Sequence, residues 1–111
     1  MNEDVRYYLL KKIQDDPNVT QRELAGVAGI SLGKVNYCLR ALMDKGLVKA
    51  ENFRASRNKL RYLYKLTPTG IEEKAKLTYS FLKIKQREYE KIKAEIAELK
   101  EEVSLSDKGE M

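Results

Sequence analysis

From Ile71 to Val103 the chain runs for 33 residues without proline or glycine. Its apolar positions there step by four and three: Ile71, Ala75, Thr78, Leu82, Lys85, Tyr89, Ile92, Ile96, Leu99 and Val103. That alternation is the a/d register of a heptad repeat, and over more than four heptads it predicts a helix that pairs along a seam. At 1.5 Å per residue such a helix is about 50 Å long. Thr78 and Lys85 are the polar breaks in the seam, and Lys85 reads as a lysine whose stem lies along it while the ammonium reaches water. Of 111 residues, 70 remain ahead of this helix, enough for one small core.

The residues flanking the seam carry an orientation signal. The g positions hold Glu88, Glu95 and Glu102, and the e positions hold Gln86, Lys93 and Lys100. In a parallel pair Glu88 faces the partner's Lys93 and Glu95 its Lys100, whereas an antiparallel pair sets like charges together, so the pattern predicts a parallel homodimer. Leu82, Tyr89, Ile92, Ile96 and Leu99 are its expected contact residues. Each exposed pair contributes only about 0.2–1 kcal/mol, which makes the charges a register device more than a source of affinity. Ile96 at a beside Leu99 at d agrees with two strands, while Tyr89 at a departs from the simple rule.

Ahead of the seam, Val5, Tyr8, Leu9 and Ile13 recur at helical spacing and Pro17 ends the first helix. Thr20 to Glu23 has the form of a capping box, opening a short second helix with Leu24, Val27 and Ala28 as its apolar residues. Gly29 suits a left-handed helix end, Ile30 can plug the core beneath the turn, and Ser31 suits the cap of a third helix. On that helix Val35, Cys38, Leu39 and Leu42 form one inward stripe and Gly46 marks its end. Two strand-like runs follow, Leu47 to Phe53 and Leu60 to Thr67, the second alternating Leu60, Tyr62, Tyr64 and Leu66 against Arg61, Leu63 and Lys65, with the polar segment 54–59 between them as the hairpin tip. Pro68-Thr69-Gly70 then breaks the pattern before the seam helix. The expected architecture is mainly α with a small β-hairpin wing: a winged helix-turn-helix over residues 1–70, a coiled-coil dimerisation helix over 71–103, and a disordered tail over 104–111.

Charge is distributed as unevenly as hydrophobicity. Residues 1–30 carry 4 basic and 5 acidic side chains, residues 31–67 carry 9 and 2, and residues 68–111 carry 9 and 10. All of the net +5 therefore comes from the segment holding the third helix and the hairpin, as expected of a surface that neutralises phosphates. A recognition helix presents short or bidentate polar groups to base edges while nearby cations hold it on the backbone. Ser31, Gly33, Lys34, Asn36, Tyr37 and Arg40 fit those roles. Asn36 could read an adenine, Arg40 a guanine or a phosphate, and Tyr37 a thymine methyl or a phosphate, with Ser31 and Lys34 better placed for phosphates. Gly33 costs a helix roughly 1 kcal/mol relative to alanine, reasonable where the backbone must approach DNA closely. On the wing, Arg54, Arg57, Lys59 and Arg61 would reach the adjacent minor groove or its phosphates.

Other chemistries find little support. The chain has no histidine, no glycine-rich phosphate loop and one cysteine, which argues against an enzyme, a metal site or a cofactor. Cys38 reads as a small buried hydrophobe, and Tyr7, Tyr8, Tyr62, Tyr64 and Tyr79 as packing residues rather than a ligand cage. No apolar run approaches the roughly 20 residues of a membrane span, and the opening residues lack the layout of a secretory signal, so a cytoplasmic location is expected. The competing reading is a winged-helix interaction scaffold whose coiled coil takes a different partner helix. It leaves unexplained the excess of seven positive charges over residues 31–67.

The segment from Ser31 to Val48, followed by Leu66-Thr67-Pro68-Thr69-Gly70, resembles MarR-type winged helix regulators. It is most similar to the compact subgroup of EPS-associated transcriptional regulators, through Leu32 to Tyr37 with Glu51-Asn52-Phe53. The resemblance runs from Arg6-Tyr7-Tyr8-Leu9-Leu10 through Gln21-Arg22-Glu23-Leu24-Ala25 to the charged terminal helix. It implies a bacterial DNA-binding regulator associated with exopolysaccharide gene clusters. The chain is shorter than typical members and lacks the extra N-terminal helix that helps build their dimer interface and effector pocket. A small-molecule effector is accordingly not expected, and dimerisation is expected to rest on the Ile71 to Val103 helix.

Overall fold

The structure, a computed structural model, describes residues 1–56 and 59–109, with the backbone alone for 52–56, 59–62 and 108–109. Its elements are α1 (Glu3–Asp15), α2 (Gln21–Ala28), α3 (Leu32–Asp44), β1 (Val48–Ser56), β2 (Lys59–Leu66) and α4 (Pro68–Gly109). Three helices, an antiparallel hairpin and a long helix are the expected winged helix-turn-helix order. One compact unit spans Met1–Thr78, and Tyr79 onward forms a second.

Each short helix is started by a side chain that satisfies a free backbone N–H. The Asn2 side chain accepts from the Asp4 N–H (2.7 Å), Thr20 Oγ1 from the Glu23 N–H (3.1 Å), and Ser31 Oγ from the Lys34 N–H (3.2 Å). The capping box differs in one detail: the Glu23 carboxylate takes the Thr20 hydroxyl at 3.1 Å. Gly29 closes α2 at φ 66°, where a side chain would be strained, and Gly46 turns the chain after α3 at φ 73°.

The core of the first unit gathers Leu9, Leu10 and Ile13 from α1, Leu24 from α2, the full α3 stripe, Leu47 and Val48, Tyr64 and Leu66, and Leu77 from α4. Ile30 packs half-buried against it, as the turn predicted. Val27 does not: α2 buries Leu24 and half-buries Gln21, Ala25 and Ala28, and this rotation leaves Val27 exposed.

The hairpin is longer than expected. Val48 pairs with Leu66 and the ladder continues to Arg54–Leu60 and Ser56–Lys59, with a register shift between Arg54 and Ser56. Arg54 and Lys59, expected in the tip, are therefore strand residues, because ladder pairing extends past the last apolar alternation. Helix α4 likewise starts earlier than Ile71 and continues past Val103 to Gly109. Its start has a local cause: Thr67 Oγ1 accepts from the Gly70 N–H (3.0 Å), leaving Pro68 in the first helical turn, where its missing N–H costs nothing.

The same Thr67 hydroxyl donates to the Gly46 carbonyl, and the Thr67 N–H donates to the Leu47 carbonyl (3.0 Å), which ties the α3–β1 turn to the start of α4. Gly70 is buried in this junction, and a Cβ on it would collide with the Leu47 backbone. Gly70→Ala is therefore expected to destabilise the protein by about 1–3 kcal/mol, the usual cost of overpacking. A urea denaturation midpoint equal to wild type would show that this junction opens without strain.

Candidate nucleic-acid interface

Burial of Val35, Cys38, Leu39 and Leu42 settles which side of α3 faces out. Gly33, Lys34, Asn36, Tyr37 and Arg40 are all exposed, with Tyr37 at 70%. Ser31 is exposed at the helix start, with its Oγ engaged as the cap, so a further contact from this side chain would come from its hydroxyl hydrogen. Gly33, Asn36, Tyr37 and Arg40 share the face of α3 opposite the buried stripe, while Lys34 and the cap residue Ser31 are exposed to one side of it. The carboxylate of this helix is Asp44, at its last residue, so the first three turns carry positive charge unopposed from within the helix.

Gly33 lies in the first turn of α3, and a Cβ there would meet nothing within 4 Å. Packing within the chain does not require glycine at this position. Gly33→Ala should therefore raise stability by about 0.5–1 kcal/mol through better helix propensity, read as a higher thermal midpoint. A midpoint that falls would reveal an intrachain role for the bare backbone.

The wing residues are placed by backbone only. Arg54, Lys59 and Arg61 belong to the strands of the hairpin, with Arg61 opposite Phe53. Arg57 lies outside the described residues. Closer to the core the hairpin exposes Lys49 and Lys65, a cross-strand pair of like charge.

Two residues at this interface were not singled out from sequence as site residues. Gln21, in the first turn of α2, donates from Nε2 to the Tyr64 hydroxyl of β2 at 2.9 Å, and Tyr64 is buried. This bond joins the helix-turn-helix to the hairpin across 43 residues of sequence. The alternation of β2 marked Tyr64 as inward, but nothing local names its partner. Tyr79, expected to pack, is instead exposed with the Lys83 ammonium 4.7 Å from its ring centre. Cys38 is buried as expected. A mostly apolar cleft of about 500 Å³ opens beside Ile13, Pro17, Leu63 and Ile71, and none of its lining residues comes from α3.

In the second unit the expected contact residues Leu82, Tyr89, Ile92, Ile96 and Leu99 are all exposed, as is Val103. Thr78, just before it, directs its hydroxyl to the Lys74 carbonyl (2.7 Å). Lys85 reaches out of the seam to Glu88 at 3.2 Å and lies 5.2 Å from the Phe81 ring centre. Glu88 therefore already has a cation within its own chain.

These features define a winged helix-turn-helix with an exposed, cation-bearing third helix. Residues 9–49 match the family model of winged helix-turn-helix DNA-binding domains. Comparison with curated proteins finds no match. Among solved structures, MarR of Staphylococcus aureus, determined with salicylate and kanamycin, is similar at 22% identity and a TM-score of 0.58. That match covers 78% of this chain and 56% of MarR. The PcaV transcriptional regulator of Streptomyces coelicolor has 20% identity and a TM-score of 0.64, covering 74% of this chain and 59% of PcaV. A mutant of S. aureus MepR has 25% identity and a TM-score of 0.61 over 89% of this chain and 77% of its own. The chain thus spans less than two-thirds of the length of MarR and PcaV. Among the described residues no helix is long and apolar enough to cross a membrane.

Proposed function

We propose that this protein is a transcription regulator of the MarR type that binds double-stranded DNA in a sequence-specific way, as a homodimer on an inverted repeat. The observation that carries this reading is the outward face of α3, where Asn36, Tyr37 and Arg40 stand exposed on one side of the helix and Lys34 is exposed in its first turn. The match to a DNA-binding family model and the likeness to MarR, PcaV and MepR support it. In this reading α3 enters the major groove, Asn36 reads a base, and the hairpin lies over the adjacent minor groove. Two such helices about 34 Å apart occupy successive major grooves. In this reading the protein acts in the cytoplasm by binding, without catalysis, and exopolysaccharide genes are the targets that the sequence resemblance implies.

Fluorescence anisotropy with DNA from upstream of the protein's own gene tests the reading. Affinity should fall roughly 10³-fold or more between about 50 and 200 mM salt if the dimer neutralises six or more phosphates. Binding should survive competitor DNA, lose base preference in Asn36→Ala, and weaken in Gly33→Ala if the backbone there lies against the duplex. Absence of binding to this or random duplex by folded protein at low salt would instead favour the interaction scaffold.

The dimer is proposed to form through parallel pairing of α4 along Leu82, Tyr89, Ile92, Ile96 and Leu99. Its support is the row of exposed apolar side chains with glutamates at g and lysines at e. Sedimentation of the wild type at micromolar concentration should give twice the chain mass, and Ile92→Asp/Ile96→Asp should give a monomer. A doubly substituted chain that still sediments as a dimer would place the interface elsewhere.

A further inference from the structure

The surface between α3 and the hairpin is a notch of about 190 Å³. From α3 it takes Asn36, Arg40 and Met43, from the hairpin the cross-strand pair Ala50 and Tyr64, and from α2 Gln21. Its charged lining residue is Arg40, and no acidic side chain borders it. Arg40 is exposed, and no carboxylate among the described residues pairs with it. The Gln21 amide is held at the rim by its 2.9 Å bond to the Tyr64 hydroxyl, and its nitrogen carries a second hydrogen. The notch therefore combines a full positive charge with an oriented amide donor, the groups that suit an anionic oxygen.

Position in the fold says which anion. If α3 occupies a major groove and the hairpin the neighbouring minor groove, the sugar–phosphate strand separating those grooves must pass between the two elements. That strand runs over the notch. We infer that the notch is a phosphodiester-binding site, with Arg40 as its cation, Gln21 as a second donor and Tyr64 as the residue that positions Gln21. This rests on the DNA-binding reading and deepens it by removing Arg40 from the base readers. Arg40 stands in the third turn of α3, about 13 Å along the axis from Ser31 at 1.5 Å per residue, while base edges are met from the first turns. Asn36, one turn earlier, remains the base contact.

The test uses the full-length protein and a panel of duplexes differing in half-site sequence, read by anisotropy over a salt series. Arg40→Gln is expected to weaken binding by a similar factor on every duplex and to reduce the slope of log affinity against log salt by about 1 per bound half-site. Tyr64→Phe is expected to weaken all duplexes alike without changing their rank order, provided its thermal midpoint confirms a folded chain. A duplex with a neutral methylphosphonate at the symmetry-related position of each half-site, in the strand between the major groove and the flanking minor groove, should cost the wild type at least the factor that Arg40→Gln costs. On that duplex the Arg40→Gln variant should bind as well as wild type. If Arg40→Gln instead changes the rank order of duplexes at an unaltered salt slope, Arg40 reads a base and the phosphate site is overturned while the regulator reading stands. Failure of the wild type to bind any duplex overturns both.

Discussion

The outward face of α3, on which the proposed function rests, depends on the burial of the stripe opposite it. Val35, Cys38, Leu39 and Leu42 are each at most 2% exposed, and burying a side chain of leucine size contributes about 1.5–3 kcal/mol. Successive helical residues are rotated by about 100°, so turning α3 by a single position would withdraw this stripe from the core. The solvated residues on the other face have no comparable term with which to resist. The orientation of Lys34, Asn36, Tyr37 and Arg40 is thus a consequence of packing beneath them.

A helix with the right face outward still needs the hairpin at the right distance, and polar contacts supply that. The Thr67 hydroxyl bridges the Gly46 carbonyl and the Gly70 N–H, joining the turn after α3 to the start of α4. Gly70 permits a backbone approach to Leu47 that any side chain would block. From the other side Gln21 grips Tyr64. Away from this surface, Arg6 of α1 pairs with Glu73 of α4 at 3.1 Å with both side chains mostly buried, which joins the first and last helices of the unit.

The second unit follows different physics. Beyond Tyr79 the seam residues Leu82, Tyr89, Ile92, Ile96, Leu99 and Val103 of α4 lie exposed in a row. Helix propensity accounts for the helix, and the apolar row is the surface along which we propose that a second copy pairs. The charges beside the row are not idle in the single chain, since Glu88 already holds Lys85. A partner's Lys93 would share that carboxylate rather than find it unpaired.

What was legible in the sequence is what acts over a few residues. Caps at Thr20 and Ser31, the left-handed end at Gly29, the inward stripe of α3, the alternation of β2 and the seam of α4 are all set by neighbours within one or two helical turns or along one strand. The limits of that reading were also local. The apolar look of Val27 did not place it in the core, and the polar segment after Phe53 did not end the ladder, because rotation of α2 and strand pairing are decided by what lies opposite. Contacts across 43 residues, as between Gln21 and Tyr64, or across 67, as between Arg6 and Glu73, leave no periodic trace. The sequence by itself determined the succession of elements, the inward face of α3 and the concentration of positive charge over the third helix and the hairpin. Only the tertiary structure decided that Arg40 and Gln21 border a common notch, because that juxtaposition depends on how separate elements pack.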